Sequence, residues 1–357
     1  MIKIVFTIGT LQIGGAEVFV VNLIKNLDLT KFVPELIVLD KQNKTFLETT
    51  IESLGIKTYY MNKPVGFSLK THIKVYRILR KIKPDIIHGN IGGIIYSLLY
   101  VFFNKKVSAV HTAHTNAKIE FGKLKRILLK YFYLRKRIIP VVLSNNNVDE
   151  FISTYKINKN LIKVISNGVD INKFNCVRNF ANSMIRLGHV GRFEEVKNHK
   201  LIFLVYDDLV SKGYNVSLRL IGNGSLLEEY KYKYIDKNVC FIQETQKVEE
   251  ELRKIDIFIF PSLYEGLPIS VIEAMASGCV IVASCVGGIV DLIENEVNGY
   301  KLKYYSVKSY SAIIEKLIKN PWKMMEISLN NKNKAKQFAI NKTIKKYEKL
   351  YKELYKC

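Results

Sequence analysis

Short apolar runs alternate with longer amphipathic segments along the first half of the chain. The apolar runs predict β-strands at 2–8, 33–39, 57–60, 85–88, 107–113, 139–143 and 162–165. Apolar residues spaced three and four apart predict helices at 16–27, 45–54, 69–82, 92–103 and 146–155. Apolar strands that alternate with helices are typical of a parallel sheet covered by helices on both faces.

The same alternation restarts at residue 186. It predicts strands at 186–190, 215–221, 239–242, 256–260, 279–283 and 300–302, and helices at 198–211, 225–233, 247–254, 269–277, 288–294 and from 306 onward. A chain of 357 residues is too long for one ordinary core, and the stretch 167–183 is polar and irregular. We therefore predict an α/β protein with two Rossmann-like domains, at 1–166 and 167–335, and a C-terminal helix within 336–357 that packs back on the first domain.

The charge of the chain is strongly positive, at +23, and one segment concentrates it. Between Lys118 and Arg137 there are eight basic residues and one acid, with apolar residues three and four apart. This pattern predicts a basic amphipathic helix over 118–137 that lies on an anionic membrane surface, although an ordinary solvated helix has the same pattern. Nucleic acid is not expected as a partner, because no nucleic-acid-binding motif is recognisable.

Cysteine usage and hydropathy indicate the compartment. The five cysteines show no paired spacing, which favours a reducing environment over a disulfide framework. The first apolar run is short and leads into a Gly-Gly turn, as a first strand does and a signal peptide does not. The longest apolar stretch, 91–103, is shorter than the roughly 20 residues that span a bilayer. A cytoplasmic protein is expected, peripheral on the inner face of the membrane if the basic helix binds there.

Open parallel sheets bind ligands at the carboxyl ends of their strands, so the loops that follow strands are the candidate binding loops. Gly14 and Gly15 follow the first strand and precede a helix, which suits the approach of a phosphate, although such turns are common. Arg192 and Lys197 follow strand 186–190. They are suited to binding a diphosphate, but two cations are equally common as ordinary surface charge in a loop. Asn223, between two glycines, lies next to a phosphate or ribose, or simply forms a tight turn.

The loop after strand 256–260 is the most informative. Pro268 suits the first turn of a helix, so that the amides of Ile269 and Ser270 face an anion at the strand ends. Glu265 precedes this helix and Glu273 lies inside it, among small apolar residues. A sugar or ribose diol is one partner for such an acid, and a neighbouring lysine is the other.

Three histidines end strands of the first half. His111 and His114 are three apart on an extended strand and point to opposite faces. We predict that His114, next to the loop, faces the ligand and that His111 is a packing residue. His88, with Asn90, ends another strand and is a candidate for the acceptor side.

The order of these motifs resembles one family. The run EGLPISVIEAMASG, with an E-x7-E spacing from Glu265 to Glu273, resembles the retaining nucleotide-sugar glycosyltransferases of family 4, the group 1 transferases of bacterial polysaccharide synthesis, which have the GT-B fold. Other matching segments extend nearly end to end: IGGAE (13–17), PDIIH (84–88), SNGVD (166–170), GRFEEVKN (191–198), LIGNG (220–224), DIFIFPS (256–262), VGGIVDLI (286–293) and VNGYKL (297–302). The resemblance implies two Rossmann-like domains, acceptor-binding and donor-binding, on either side of an interdomain cleft.

The resemblance also implies roles for single residues. Arg192 and Lys197 are expected to hold the donor diphosphate and stabilise charge on the leaving phosphate without a metal ion. Gly14 and Gly15 are expected to let the first-domain loop approach that diphosphate. The remaining implied contacts are Glu265 with sugar hydroxyls, Ile269 and Ser270 with sugar or phosphate through their amides, Asn223 with the donor, Glu273 with the ribose, Ile242 with the base, and His114 with the reactive side of the sugar.

The implied activity is the transfer of a sugar, with retention of its anomeric configuration, from a nucleotide-diphosphate sugar. We expect a UDP-sugar as co-substrate, no further cofactor and no enzymatic nucleophile, because the leaving phosphate itself accepts the acceptor's proton. The expected acceptor is lipid-linked or a growing surface polysaccharide. The alternatives are a soluble or protein acceptor, or a non-catalytic partner subunit.

Overall fold

The computed structural model describes residues 1–181, 183–235, 237–243 and 245–356. Cys357, one of the five cysteines considered above, lies outside them. The chain forms two compact units, Met1–Gly168 together with the chain from Asn341 onward, and Val169–Ile340. Each unit encloses its own hydrophobic core. No described helix has the length and hydropathy to cross a bilayer.

The first unit is built on a parallel seven-stranded sheet with the order β3-β2-β1-β4-β5-β6-β7. Its strands are β1 (Ile2–Ile8), β2 (Phe32–Val38), β3 (Thr58–Tyr60), β4 (Ile86–Asn90), β5 (Ser108–Ala113), β6 (Ile138–Val142) and β7 (Lys163–Val164). Its first helices are α1 (Gly15–Asn26), α2 (Phe46–Ser53), α3 (Leu69–Ile82), α4 (Gly93–Phe103), α5 (Ala117–Glu120), α6 (Lys123–Leu134) and α7 (Asn146–Tyr155), with a 3-10 turn at Lys159–Leu161.

The second unit is built on a parallel six-stranded sheet with the order β10-β9-β8-β11-β12-β13. Its strands are β8 (Ile185–Val190), β9 (Val216–Ile221), β10 (Val239–Ile242), β11 (Ile257–Phe260), β12 (Val280–Ser284) and β13 (Tyr300–Leu302). Its helices are α8 (Ile171–Phe174), α9 (His199–Ser211), α10 (Leu227–Lys233), α11 (Val248–Leu252), α12 (Ile269–Ala276), α13 (Ile289–Leu292), α14 (Val307–Ile318) and α15 (Pro321–Ala335), with 3-10 turns at Glu195–Lys197 and Lys336–Phe338.

The last helix, α16 (Ile340–Lys356), is strongly amphipathic. It buries Thr343, Ile344, Tyr347, Leu350 and Tyr351 in the first unit, while its lysines face solvent. Apolar residues three and four apart produce this single buried face.

Both sheets reverse their strand order in the middle, which determines where a ligand site belongs. In the first unit the order reverses between β1 and β4, and in the second between β8 and β11. The loops that follow these strands diverge to opposite faces of the sheet and leave a crevice at its carboxyl edge. The predicted α/β, Rossmann-like fold is confirmed, and it places the Gly-Gly turn, Asn90, the Arg192–Lys197 loop and Glu265 at these switch points.

The prediction of one basic helix over 118–137 is wrong. The segment breaks into α5 and α6 at Phe121 and Gly122, because Phe121 is buried in the core and the Glu120 carboxylate pairs with buried His111. The C-terminal end of the segment, from Arg135 to Arg137, also lies outside the helix. Arg137 donates hydrogen bonds to the carbonyls of Val101 and Asn104, at 2.7 Å each, and anchors the chain instead of facing outward.

The remaining helix, α6, nevertheless has an exposed apolar stripe. Its members are Leu124, Ile127, Leu128, Tyr131 and Leu134, and Leu124 is 82% exposed. Lys123, Lys125, Arg126 and Lys130 flank this stripe. An apolar stripe on the outside of a folded unit is unusual and marks an interaction surface.

Candidate active site

The Gly-Gly turn after β1 leads directly into α1. Gly14 has an extended backbone, and a side chain there would collide with the carboxylate of Glu17. At Gly15 an added Cβ would meet no described atom within 4 Å. The glycine at 15 is therefore not required by packing within the protein, and the space beside it is open.

His114 lies at the carboxyl end of β5, on the side of α1. Its ring packs edge-on against Phe19 of α1, with centroids 5.0 Å apart, and its Nε2 lies 2.8 Å from Oδ1 of Asn90. Burial, aided by the nearby His111, lowers the pKa of His114 to about 3. The imidazole is therefore neutral at physiological pH.

His111 and His88 are packing residues. His111 points to the opposite side of the sheet, where its nitrogens contact the Tyr133 hydroxyl at 2.6 Å and the Glu120 carboxylate at 3.1 Å. The expectation that His88 lines the acceptor side is wrong. Its ring is fully buried, and both nitrogens are already hydrogen-bonded, to the hydroxyls of Tyr351 and Thr112.

The loop after β8 rests on the Gly-Asn-Gly turn after β9. Gly222 has a φ of +148°, and a side chain there would collide with the carbonyl of Gly191. The amide of Phe193 donates to the carbonyl of Asn223 at 2.9 Å, so the two loops are hydrogen-bonded to each other. Arg192 and Asn223 are both exposed on it, and no hydrogen bond or ion pair from the described chain occupies the Arg192 guanidinium.

Lys197 and Glu265 form the closest pair of predicted site residues. The Lys197 ammonium donates to Oε1 of Glu265 at 2.6 Å and lies 5.0 Å from the ring centre of Phe260. The two side chains are only 16% and 11% exposed. The amide of Leu263 donates to the carbonyl of Val196 at 2.8 Å and ties the two loops together. The structure thus holds a cation and a carboxylate together at the switch point of the second sheet.

The loop that carries Glu265 is supported by a glycine pair, Gly287 and Gly288, that has no predicted role in the sequence. Gly287 has a φ of +49°, and a side chain there would collide with the carbonyl of Glu265. The amide of Gly288 donates to the carbonyl of Gly266 at 2.6 Å. The VGG turn after β12 was the available signal, because only glycine allows this approach. Phe260 was also missed, since an apolar residue in a strand gives no sign that it faces an ammonium.

Helix α12 begins at Ile269 without a side-chain cap. Its preceding residue, Pro268, has no cap hydrogen bond, so the first amides, including those of Ile269 and Ser270, have no partner within the helix. Ile269 is buried and Ser270 is partly exposed. An uncapped helix start is positively polarised and favours an anionic or hydroxyl ligand.

Glu273 lies one turn further along α12 and is half-buried. Burial raises the pKa of its carboxyl to about 7; Lys173 lowers this pKa and Glu249 raises it. Lys173 is itself paired with Glu249 at 3.1 Å. Within the part of the chain that the structure describes, no hydrogen bond reaches the Glu273 carboxyl. The alternative that Glu273 is simply neutralised by a lysine is therefore not favoured.

Ile242 is the last residue of β10, an edge strand of the second sheet. Its carbonyl accepts a hydrogen bond from the amide of Gly222 at 2.9 Å, and its side chain is half-buried. This bond joins the end of β10 to the Gly-Asn-Gly turn. Contact between a base and this backbone remains a prediction.

Two family models match the chain over nearly its whole length. The family described as Glycosyltransferase Family 4 matches residues 13–173, and the family described as Glycosyl transferases group 1 matches residues 177–338. The first match contains the Gly-Gly turn and His114. The second contains Arg192, Lys197, Glu265 and Glu273.

Individual relatives agree with this assignment. CapH of Staphylococcus aureus, a capsular polysaccharide biosynthesis glycosyltransferase, is 26% identical and covers 98% of this chain and 99% of its own. The UDP-Gal:alpha-D-GlcNAc-diphosphoundecaprenol alpha-1,3-galactosyltransferase of Escherichia coli is 26% identical, with 86% and 85% covered. The crystal structure of Anabaena HepE in complex with UDP and glucose is 20% identical, has a TM-score of 0.84, and covers 99% of this chain and 100% of its own. The chain therefore belongs to the group 1 glycosyltransferases and has the two Rossmann-like units of the GT-B fold.

Proposed function

We propose that this enzyme transfers a sugar from a UDP-sugar, with retention of anomeric configuration, to a lipid-linked or growing surface-polysaccharide acceptor. The likeness to a UDP-Gal-dependent transferase with a diphosphoundecaprenol acceptor supports this proposal, as does the likeness to capsular transferases. The reaction takes place in the cytoplasm, at the inner face of the membrane. The nucleotide sugar is the co-substrate, and no other cofactor takes part.

The Lys197–Glu265 pair is the observation on which this proposal rests. A diphosphate needs cations, and a sugar needs hydrogen-bond acceptors for its hydroxyls. Lys197 and Glu265 place one of each 2.6 Å apart, at a switch point where no described residue pairs with the guanidinium of Arg192. We assign the two cations to the diphosphate, where they stabilise the charge that develops on the leaving phosphate without help from a metal ion. Glu265 accepts hydrogen bonds from sugar hydroxyls.

The remaining groups orient the donor. The amides of Ile269 and Ser270 donate to the sugar or the phosphate, Glu273 binds the ribose diol, Asn223 lies by the phosphate, and the backbone at Ile242 contacts the base. The open space at Gly15, next to Gly14, admits the diphosphate, and neutral His114 faces the reactive side of the sugar. The acceptor hydroxyl attacks the same face that the phosphate leaves, and its proton passes to that phosphate.

The proposed reaction is tested by incubating the purified chain with UDP-, GDP- and ADP-sugars. Release of the nucleoside diphosphate is measured, and the configuration of the product is read from its anomeric proton by NMR. Thermal shift with each nucleotide measures binding. UDP release with a retained product supports the proposal. The non-catalytic alternative holds instead if no nucleotide is released and none binds.

The raised pKa of Glu273 predicts how donor binding depends on pH. An ionised carboxylate accepts two hydrogen bonds from a ribose diol, whereas a protonated one accepts less well. Because burial raises this pKa to about 7, the ionised form becomes dominant only as the pH rises through that value. The KM for a UDP-sugar should therefore fall between pH 6 and pH 8. A sugar nucleotide is used because its diphosphate, unlike that of free UDP, has no second ionisation in this range.

Glu273→Gln supplies the control for this pH dependence. The amide does not titrate, so the KM of the variant should be higher at pH 8 and nearly independent of pH. The same slope in both proteins would assign the dependence to another group and remove Glu273 from the ribose site.

The exposed stripe of α6 carries the membrane part of the proposal. Replacing Lys123, Lys125, Arg126 and Lys130 with glutamine should reduce binding to vesicles that contain anionic lipid by about tenfold or more, because each basic residue near such a surface contributes about 1 kcal/mol. Release of UDP from a soluble donor should be unchanged. Vesicle flotation at several salt concentrations measures the difference.

A matched variant controls for net charge. Lys303, Lys308, Lys319 and Lys336 are exposed in the second unit, and their replacement by glutamine removes the same charge elsewhere. This variant should float with vesicles nearly as the parent does. Equal binding by parent and α6 variant would favour a soluble or protein acceptor.

A further inference from the structure

We infer that the C-terminal helix α16 is a positioning element of the active site, in which Tyr347 and Tyr351 hold the strand ends that carry Asn90 and His114. This inference rests on the proposed function for the role of His114. Nothing in the motifs above assigns a role to these tyrosines, which lie more than 230 residues from His114 in sequence.

The two tyrosines occupy successive turns on the buried face of α16. Both are completely buried, and each hydroxyl meets a polar group of the sheet. The Tyr351 hydroxyl lies 2.7 Å from Nδ1 of His88, and the Tyr347 hydroxyl lies 3.0 Å from the hydroxyl of Thr112. His88 and Thr112 are in turn joined at 2.7 Å through Nε2. Four side chains therefore form one continuous hydrogen-bonded chain from α16 across β4 and β5.

The four groups of this hydrogen-bonded network are neutral. Burial lowers the pKa of His88 well below its usual value and raises the pKa of both tyrosines. Phenylalanine at both positions would bury the same apolar area without the cost of burying hydroxyls. A buried network in which each polar atom has a partner fixes the position of its members more narrowly than apolar packing does. The network therefore serves the placement of the strand ends.

The strand ends transmit this placement to the site. Asn90 lies two residues beyond His88 on β4, and His114 lies two residues beyond Thr112, just after β5. The Asn90 side chain donates to the carbonyl of His88 at 3.2 Å and leaves its oxygen 2.8 Å from Nε2 of His114. The positions of Asn90 and His114 therefore depend on the hydrogen-bonded ends of β4 and β5.

Phe19 makes a second, direct connection. Its ring is 5.6 Å from that of Tyr347 and 5.0 Å from that of His114, measured between centroids. Phe19 lies one turn into α1, which begins at Gly15. Displacement of Tyr347 would therefore move the support of both His114 and the Gly-Gly turn.

The network also fixes the tautomer of His114. Because the Asn90 amide nitrogen donates to His88, its oxygen must face His114, and an oxygen only accepts. Nε2 of His114 therefore carries the proton, and Nδ1 keeps its lone pair. A hydroxyl of the sugar or of the acceptor can donate to that lone pair.

The test uses Tyr347→Phe, Tyr351→Phe and the double variant in the full chain, with Tyr355→Phe as control. Tyr355 lies on the same helix and is 55% exposed. We expect the double variant to fold and still to bind UDP, because Arg192 and Lys197 are unchanged, while kcat falls by about tenfold through misplacement of the site. The control should match the parent.

A second readout separates positioning from simple structural support. In protein with 15N-labelled histidine, NMR reports the tautomer and the pKa of His114 without any turnover. The double variant should show a mixture of tautomers and a pKa that has moved from about 3 toward the usual value. Unchanged kcat together with an unchanged His114 signal would overturn the inference. A parent that releases no UDP would instead refute the proposed function, and the NMR result would still test the network.

Discussion

Replacing Lys197 with alanine is expected to lower the kcat for UDP-sugar by about a hundredfold or more, the usual effect of removing one group that stabilises charge in a transition state. The Lys197 side chain is only 16% exposed, and its ammonium contacts Glu265 and the face of Phe260, so its charge is poorly screened by water. Arg192 remains, but it is exposed and carries less of the charge at the leaving phosphate.

The change in KM should be smaller than the change in kcat, because charge on the phosphate grows as the bond to the sugar breaks. Steady-state release of UDP over a range of donor concentrations separates the two constants. Lys200→Ala is the matched control, since Lys200 is an exposed lysine three residues away. Kinetics equal to the control would remove Lys197 from the site.

The strands were predictable because their apolar runs leave little choice of structure. The predictions for β1, β10, β13, α3 and α7 agree with the structure at both ends, and most other elements differ by one or two residues. The strand order was not readable from the sequence, since pairing joins β1 to β4 and β8 to β11 across long intervals of chain. The sequence therefore identifies which loops follow strands, but it does not show which of these loops lie side by side in the sheet.

The basic segment shows where periodicity fails. Its apolar spacing continues through Phe121, Phe132 and the residues between, but the spacing alone does not say which residues enter the core. Burial of Phe121 and the pairing of Glu120 with His111 break the helix, and only the tertiary structure contains those partners. A local pattern competes with long-range contacts, and the long-range contacts decide.

The site residues show the same division. The spacing of Glu265 and Glu273 and the cations after β8 could be found because motif residues are close in sequence. The pairing of Lys197 with Glu265, 68 positions apart, could not. Tyr347 and Tyr351 gave no signal beyond helical spacing, because the partners of a buried hydroxyl are fixed only when α16 packs on the sheet.

Replacing Glu265 with glutamine is expected to strengthen the binding of UDP while it weakens sugar transfer. In the structure the Glu265 carboxylate forms an ion pair with the Lys197 ammonium at 2.6 Å, and a diphosphate must compete with the carboxylate for that cation. Glutamine keeps the shape but removes the charge, so the ammonium becomes free and the repulsion of the diphosphate disappears. We expect UDP to bind about tenfold more tightly, equivalent to about 1.4 kcal/mol.

Transfer should nevertheless fall by about tenfold or more, because the amide replaces a carboxylate that accepts hydrogen bonds from the sugar hydroxyls. Calorimetry with UDP measures the gain, and release of UDP from the UDP-sugar measures the loss. Glu194→Gln is the matched control. Its carboxylate lies in the same loop as Lys197 but accepts from the amide and hydroxyl of Ser225, so its replacement should leave UDP affinity nearly unchanged.

The double variant Lys197→Ala with Glu265→Gln identifies the origin of the gain. If Glu265 acts by occupying the ammonium, its replacement should give no tighter binding once the ammonium is absent, and the two effects will not add. A gain of the same size in both backgrounds would mean that Glu265 repels the diphosphate directly, without the ion pair. Weaker UDP binding in Glu265→Gln would contradict both accounts, because the carboxylate would then support the nucleotide rather than compete with it.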